Sequence, residues 1–364
     1  MQRDLPSPDV SLTQDESFVA TSHRGLTYPM GERAPAPGEV VPLAKGVGWA
    51  RIPLPIALSH INVWLIDEED GVAVVDTGMN APDCVDTWRT LLAGPLEDKP
   101  VSRVFATHLH PDHVGLAGWL CRKYQVKLWM TRGEWLTIRM LSADAREAIP
   151  EDQLAFWRAA GWSEAQIEGA GQAGFGRMRR VVSELPLGYR RIVDGETVAI
   201  GGVEWRVVVG SGHSPEHACL LNETERLLIA GDQVLPRISS NVSLGVTEPE
   251  GDPFGEWLAS IDKLLGLPDD LLVLPAHGEP FTGLHARLEA LRDEHLKRLD
   301  MLEAHLTEPR RAVDCFGRLF RRKIGDEILG LATGETLAHL RRLEVEGRAV
   351  KDVVDGVWWY RAAS

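Results

Sequence analysis

The segment Thr107-His108-Leu109-His110-Pro111-Asp112-His113 constrains this chain more than any other. It closes an apolar run that starts at Val101 and reads as a buried strand. A loop at a strand end can turn several side chains toward one point, and here three imidazoles and one carboxylate fall within six positions. Neutral imidazole and carboxylate suit zinc or a similar first-row ion. Further donors recur downstream. His213 follows Val207-Val208-Val209, Asp232 follows Leu227-Leu228-Ile229, and His277 follows the run from Leu271 to Leu274. Each alone reads as a strand cap or a satisfied core residue. Together with the loop they supply five histidines and two aspartates from strand ends, enough for two metals.

The 364 residues point to two domains, or one large domain with an appendage. With 39 basic and 53 acidic residues the formal net charge is −14, the opposite sign to that of a general phosphate-backbone binder. Cys84, Cys121, Cys219 and Cys315 lie far apart with no CxxC pair, so neither a disulfide framework nor a thiolate zinc site is expected. No apolar run reaches the ~18 residues of a membrane helix, and the first residues do not read as a signal peptide. The expectation is a cytoplasmic protein with no membrane partner.

Residues 1–40 are polar and proline-rich and are expected to form a loosely packed arm. Strand-like runs at 61–66, 71–75 and 101–107 alternate with helix-like stretches at 81–92 and 114–123. Runs at 197–200, 204–209, 217–222 and 226–230 precede a helix at 254–265 and a strand at 271–274. This twice-repeated pattern suggests two packed sheets with helices outside. Between the two halves lies a helical insert, 131–190, in which Ser163-Glu164-Ala165-Gln166 fits a capping box. A long charged helix near 284–306 leads to helical runs at 312–320 and 336–346, then to a hairpin around Asp355-Gly356. From 284 to 364 there are 15 Lys/Arg and 14 Asp/Glu, so the acidity sits in the body.

H-x-H-x-D-H followed by isolated His, Asp and His resembles the metallo-β-lactamase-fold hydrolases, and Asp76-Thr77-Gly78 matches that family's first motif. The resemblance covers residues 45–283. It implies a four-layered αββα sandwich, here with a helical insert and a small C-terminal winged-helix-like domain over 284–364. By the same resemblance His108, His110 and His213 would hold one metal. Asp112, His113 and His277 would hold the second, with Asp232 bridging. The motif departs from flavo-diiron proteins and from metallo-β-lactamases proper, which argues against antibiotic hydrolysis. Zinc is the first choice, and the same donors accept iron or manganese.

Two metals ~3.5–4 Å apart can share a hydroxide that is nucleophilic near neutral pH. Asp112 and Asp232 are the carboxylates read as catalytic. Asp76 is expected to orient a ligand histidine, with a strand-end cap as its plain alternative. His217, Arg237, Ser239 and Asn241 could line the pocket or back the ligands, while His60 reads as a satisfied surface residue. Arg177, Arg179, Arg180, Arg190 and Arg191 form either a solvated face or a clamp for an anionic group. The leading function is hydrolysis of a thioester, lactone or other small carboxylic ester. A metal-dependent endoribonuclease or phosphodiesterase is the rival, and a non-enzymatic winged-helix regulator the third reading. The expected partner is a small-molecule substrate rather than nucleic acid, and a homodimer is left open.

Overall fold

The structure is a computed structural model that describes residues 20–31, 33–172, 175–176 and 178–363. Two strands, β1 (Thr21–His23) and β2 (Leu26–Tyr28), form a hairpin at its start. The first sheet has seven strands in sequential order: β3 (Val41–Ala44), β4 (Val47–Pro53), β5 (His60–Glu68), β6 (Gly71–Val75), β7 (Val101–Phe105), β8 (Leu128–Met130) and β9 (Arg190–Arg191). The second has five: β10 (Thr197–Ile200), β11 (Val203–Gly210), β12 (His217–Asn222), β13 (Leu227–Gly231) and β14 (Leu272–Pro275). Each sheet begins antiparallel and turns parallel, the first from β6 onward and the second at the β13–β14 pair. A last hairpin pairs β15 (Ala349–Val354) with β16 (Val357–Ala362) through left-handed Asp355 and Gly356, as a type I′ turn requires.

Alternation along the strands builds the layers. Trp64 and Ile66 of β5 join Ala218, Leu220 and Ile229 in the core between the sheets. Ile61, Val63 and Leu65 face the opposite way, onto α1 (Pro82–Ala93), α2 (Pro111–Val114) and α3 (Ala117–Tyr124) through Trp88, Leu91 and Leu120. Cys219, Leu221, Leu228 and Ala230 turn outward onto α8 (Pro253–Leu265) and α9 (Leu284–Glu303) through Trp257, Ile261 and Leu288. Three apolar cores thus separate four layers, the αββα sandwich expected from the sequence.

The insert holds α4 (Arg132–Ala143), α5 (Glu151–Ala160), α6 (Glu164–Gln172) and α7 (Met178–Val181). The capping box opens α6: Gln166 N–H donates to Ser163 Oγ at 3.3 Å, and Ser163 N–H to Gln166 Oε1 at 2.9 Å. After α9 come a short 3₁₀ turn, α10 (Phe316–Leu319) and α11 (Leu329–Val345). The insert packs on this tail as well as on the sandwich: Phe156 meets Trp358 edge-on at 5.5 Å.

Two expectations need correction. The arm at 1–40 is not loosely packed in its described part, because Leu26, Tyr28 and Met30 are buried and Thr27 bridges Thr282. Residues 1–19 lie outside the described residues. Helix α11 begins seven residues before the expected 336, across Gly330, Thr333 and Gly334. Helix propensity disfavours glycine, and burial of Leu329, Ala332 and Leu337 overrides it. Among the described residues no helix is long and apolar enough to cross a membrane.

Candidate metal centre

The candidate ligands sit just beyond the C-terminal ends of β7, β11, β13 and β14, along one edge of the sandwich. Strand ends in open α/β sheets commonly carry ligand sites, because the loops there are free to vary while the sheet fixes their roots. Gly231 shows how tightly this edge is packed. A Cβ there would lie 2.5 Å from His217 Nε2 and 3.1 Å from Thr107 Cβ, and its φ is +51°. Only glycine lets β13 pass between these side chains and present Asp232.

Two triads result. His108 Nε2, His110 Nδ1 and His213 Nε2 lie 2.8, 3.1 and 3.2 Å from one another. Three donors ~2.0–2.1 Å from a tetrahedral zinc would be about 3.3 Å apart, so the nitrogens are spaced for a shared cation. In the second triad, Asp112 Oδ2 is 3.2 Å from His277 Nε2 and 3.7 Å from His113 Nε2. Asp232 spans both: Oδ2 is 3.4 Å from His213, and Oδ1 is 3.4 and 3.5 Å from His277 and His113. His113 Nε2, His277 Nε2 and Asp232 Oδ1 are buried without a hydrogen-bond partner. Buried orphans of that kind are costly unless something else satisfies them, and a metal ion fits this donor set.

The other ring nitrogens fix the tautomers. His113 Nδ1–H donates to Asp76 Oδ2 at 2.8 Å, His213 Nδ1–H to the Asn241 carbonyl at 2.6 Å, and His277 Nδ1–H to the His60 carbonyl at 2.7 Å. Each turns its Nε2 into the cluster. Burial and the neighbouring imidazoles hold His108 well below its ordinary pKa, and burial with His213 holds His110 at about 3. Burial also pushes His113 down, but Asp76, Asp112 and Asp232 outweigh it and raise that group. His108 and His110 therefore rest as neutral donors, and the second triad is embedded in negative charge.

The family model described as Metallo-beta-lactamase superfamily matches residues 57–277, and Metallo-beta-lactamase-like, C-terminal domain matches 299–363. The chain belongs to the metallo-β-lactamase superfamily. Its fold is similar to the crystal structure of a β-lactamase domain protein from Burkholderia ambifaria, with a TM-score of 0.86 and 37% identity, covering 93% of this chain and 98% of that one. It is 27% identical over 308 residues to the probable metallo-hydrolase YqjP of Bacillus subtilis, covering 81% of this chain and 91% of that protein. It is also 22% identical over 263 residues to an atrochrysone carboxyl ACP thioesterase of Aspergillus terreus, covering 72% of this chain and 62% of that protein. The chain is a metal-dependent hydrolase of this superfamily.

In this superfamily member the remaining candidates take different places. Asp76, at φ +63°, accepts from Thr107 N–H at 2.8 Å and from the Thr107 hydroxyl as well as from His113. His217 is fully buried against His108 and accepts the Asp232 N–H at 3.0 Å. Asn241 contributes its backbone carbonyl, whereas its side chain turns away to Glu335 and Ser243. Arg237 does not join the cluster: it pairs with Glu279 at 2.9 Å over the Tyr28 ring. Ser239 is exposed. His60, read as a surface residue, sits beside His277, and its Nε2 accepts the Gly278 N–H at 3.3 Å. The arginine clamp is not formed by the described residues. Arg190 pairs with Glu196, Arg179, Arg180 and Arg191 are exposed, and Arg177 lies outside the described residues.

Sequence reasoning missed Glu134 on α4. It is fully buried and accepts Leu109 N–H at 2.9 Å and Glu216 N–H at 2.7 Å, tying the first ligand loop to the one carrying His213. Burial raises its pKa against these hydrogen bonds. A lone glutamate in a helical pattern reads as a solvated face, so no sequence signal marked it.

Proposed function

We propose that this chain is a dinuclear hydrolase acting on a thioester, lactone or other small carboxylic ester. The observation that carries the reading is Asp232, whose two carboxylate oxygens each face a different triad. A pair of bound divalent ions, zinc first with iron or manganese as alternatives, would supply an activated water and a Lewis acid. The chain's own residues set the geometry. Asp232 would fix the spacing of the triads, and Asp112 adds a carboxylate to the second. Asp76 and the carbonyls of His60 and Asn241 keep the ligand imidazoles aimed.

Two features favour an acyl thioester. A thiolate leaves with a pKa near 8.5, so its departure asks little of a proton donor. A cavity of about 830 Å³ between the insert and the tail is lined by Trp157, Trp162, Phe175, Leu329 and Leu331, with Gln166, Asp326 and Glu327 beside them and no candidate ligand among them; its apolar side would suit an acyl chain. The fungal relative is described as a thioesterase, which points the same way. Trp135 instead stacks on Tyr189 at 4.5 Å and lies outside this cavity.

The test is a screen of the metal-loaded chain against acyl thioesters, lactones, phosphodiesters and short RNA, with a chelated control. Turnover of thioesters or lactones that rises with chain length, and falls unequally along the series in Trp157→Ala, supports the proposal. Preferential cleavage of RNA or phosphodiesters replaces it with the nuclease reading.

A further inference from the structure

Two consecutive residues near the start of α11 grip one loop of the catalytic domain. The Leu244 N–H donates to the Gly334 carbonyl at 3.0 Å. Asn241 Nδ2–H donates to Glu335 Oε2 at 3.1 Å, and the Ser243 hydroxyl holds the amide oxygen of Asn241 at 2.5 Å. A Cβ on Gly334 would lie 2.8 Å from Ser243 Cβ, so the helix rests on this loop with no room for a side chain. Thr333, next to them, accepts Trp162 Nε1–H at 2.9 Å and joins the same turn to the insert. Glu335 is itself steadied from α9, where Arg298 Nη1 lies 3.4 Å from its second oxygen.

The gripped loop is the one whose Asn241 carbonyl accepts the Nδ1 proton of His213. With both ends of its amide engaged, Asn241 cannot rotate without breaking a contact, and its carbonyl is held on His213. The corresponding partners of His113 and His277 are Asp76 and His60, both within the sandwich. One triad is thus braced across the domain boundary and the other is not.

We propose that Glu335 and Gly334 are positioning residues for His213, so that the tail is a structural part of one of the two metal sites. The inference rests on the two-metal reading of the centre. Loss of a partner that orients a ligand histidine commonly weakens metal binding by about 10–100-fold.

The experiment titrates the metal-free full chain with Co²⁺ against a competing chelator and follows the visible absorption of each site. Glu335→Ala and Gly334→Ala should weaken one cobalt site by about 10–100-fold and leave the other within about twofold. Glu335→Gln keeps an oxygen that accepts from Asn241 and should recover most of the loss. Arg342→Ala is the control, because Arg342 ties α11 to Asp252 and not to the gripped loop. Its metal-free melting temperature should fall as much as that of Glu335→Ala, with both cobalt sites intact. Unchanged binding in Glu335→Ala, or an equal loss at the same site in Arg342→Ala, overturns the inference. A parent chain that binds a single ion overturns the two-metal reading and this inference with it.

Discussion

Replacing Asp76 with asparagine should cripple one triad while sparing the fold. Asparagine tolerates the left-handed backbone at this position nearly as well as aspartate, so φ +63° is kept. The carboxylate now accepts from three donors, Thr107 N–H, Thr107 Oγ1–H and His113 Nδ1–H. An amide has one acceptor oxygen and one NH₂ group. If the oxygen stays on Thr107 N–H, the NH₂ faces His113 Nδ1. The imidazole must then accept there and carry its proton on Nε2, the atom that faces Asp112 and Asp232. A hydrogen bond to a charged group contributes about 1.5–3 kcal/mol, which at 1.4 kcal/mol per decade is ~10–140-fold in affinity. Metal uptake at the His113 triad should weaken by that factor. The first triad should lose less, because His108 reaches this network only through Thr107 Oγ1, at 3.1 Å. The assay is competitive cobalt titration beside thermal melting of the metal-free protein. Two affinities within about twofold of the parent would refute the reasoning. So would a melting temperature so low that the variant is unfolded at the temperature of the titration.

Asp232→Ala should cost at least about 100-fold in turnover with a metal-free fold close to the parent's, since on the proposed two-metal reading this carboxylate would set the spacing of both sites. Two bound metals with near-parent turnover would dismiss its bridging role. Acid should destabilise the contact between α8, α9 and α11, where burial holds His339 at about 4 and His295 at about 2, against an ordinary value near 6.5. Both are neutral when folded, so the unfolded chain binds more protons below pH 6.5. Stability is intact above that pH and falls as pH drops toward about 4, by up to ~1.4 kcal/mol per pH unit for each histidine. Urea unfolding of the metal-free parent and His295→Leu at pH 7 and pH 5 should show a shallower dependence in the variant, and equal slopes would contradict this account.

The sandwich was legible because period-two alternation and strand-end donors are local signals. Val63 against Trp64 and Leu228 against Ile229 already divide the two faces of their strands. What escaped depends on atoms or partners that the sequence does not display. His60 lies at the centre through its backbone carbonyl, which every residue owns, so side-chain chemistry could not reveal it; Asn241 was named as a candidate, yet it too meets the ligand through its carbonyl rather than its amide. Arg237 has suitable chemistry near Asp232, yet Glu279 and Tyr28 claim it from distant stretches of chain. The start of α11 was hidden because Gly330 and Gly334 argue against helix locally, while tertiary contact with Ser243 demands a glycine.

The two triads, taken as cation sites, differ in what holds them. The second has a carboxylate of its own in Asp112 and a further one, Asp76, behind His113. Its attraction for a cation is electrostatic, acts over several ångströms in a buried site, and tolerates small displacements. The first has three imidazoles and only the shared Asp232, so its affinity depends on lone-pair direction. Direction is the quantity that a slack loop degrades first. That is the triad whose His213 is oriented by the loop under α11, and the same helix reaches Trp162 at the wall of the cavity between insert and tail. An acyl group that settled between insert and tail would press on Trp162, and through Thr333 and Glu335 on the loop behind His213. Substrate fit and metal geometry would then be coupled at one end of the centre only.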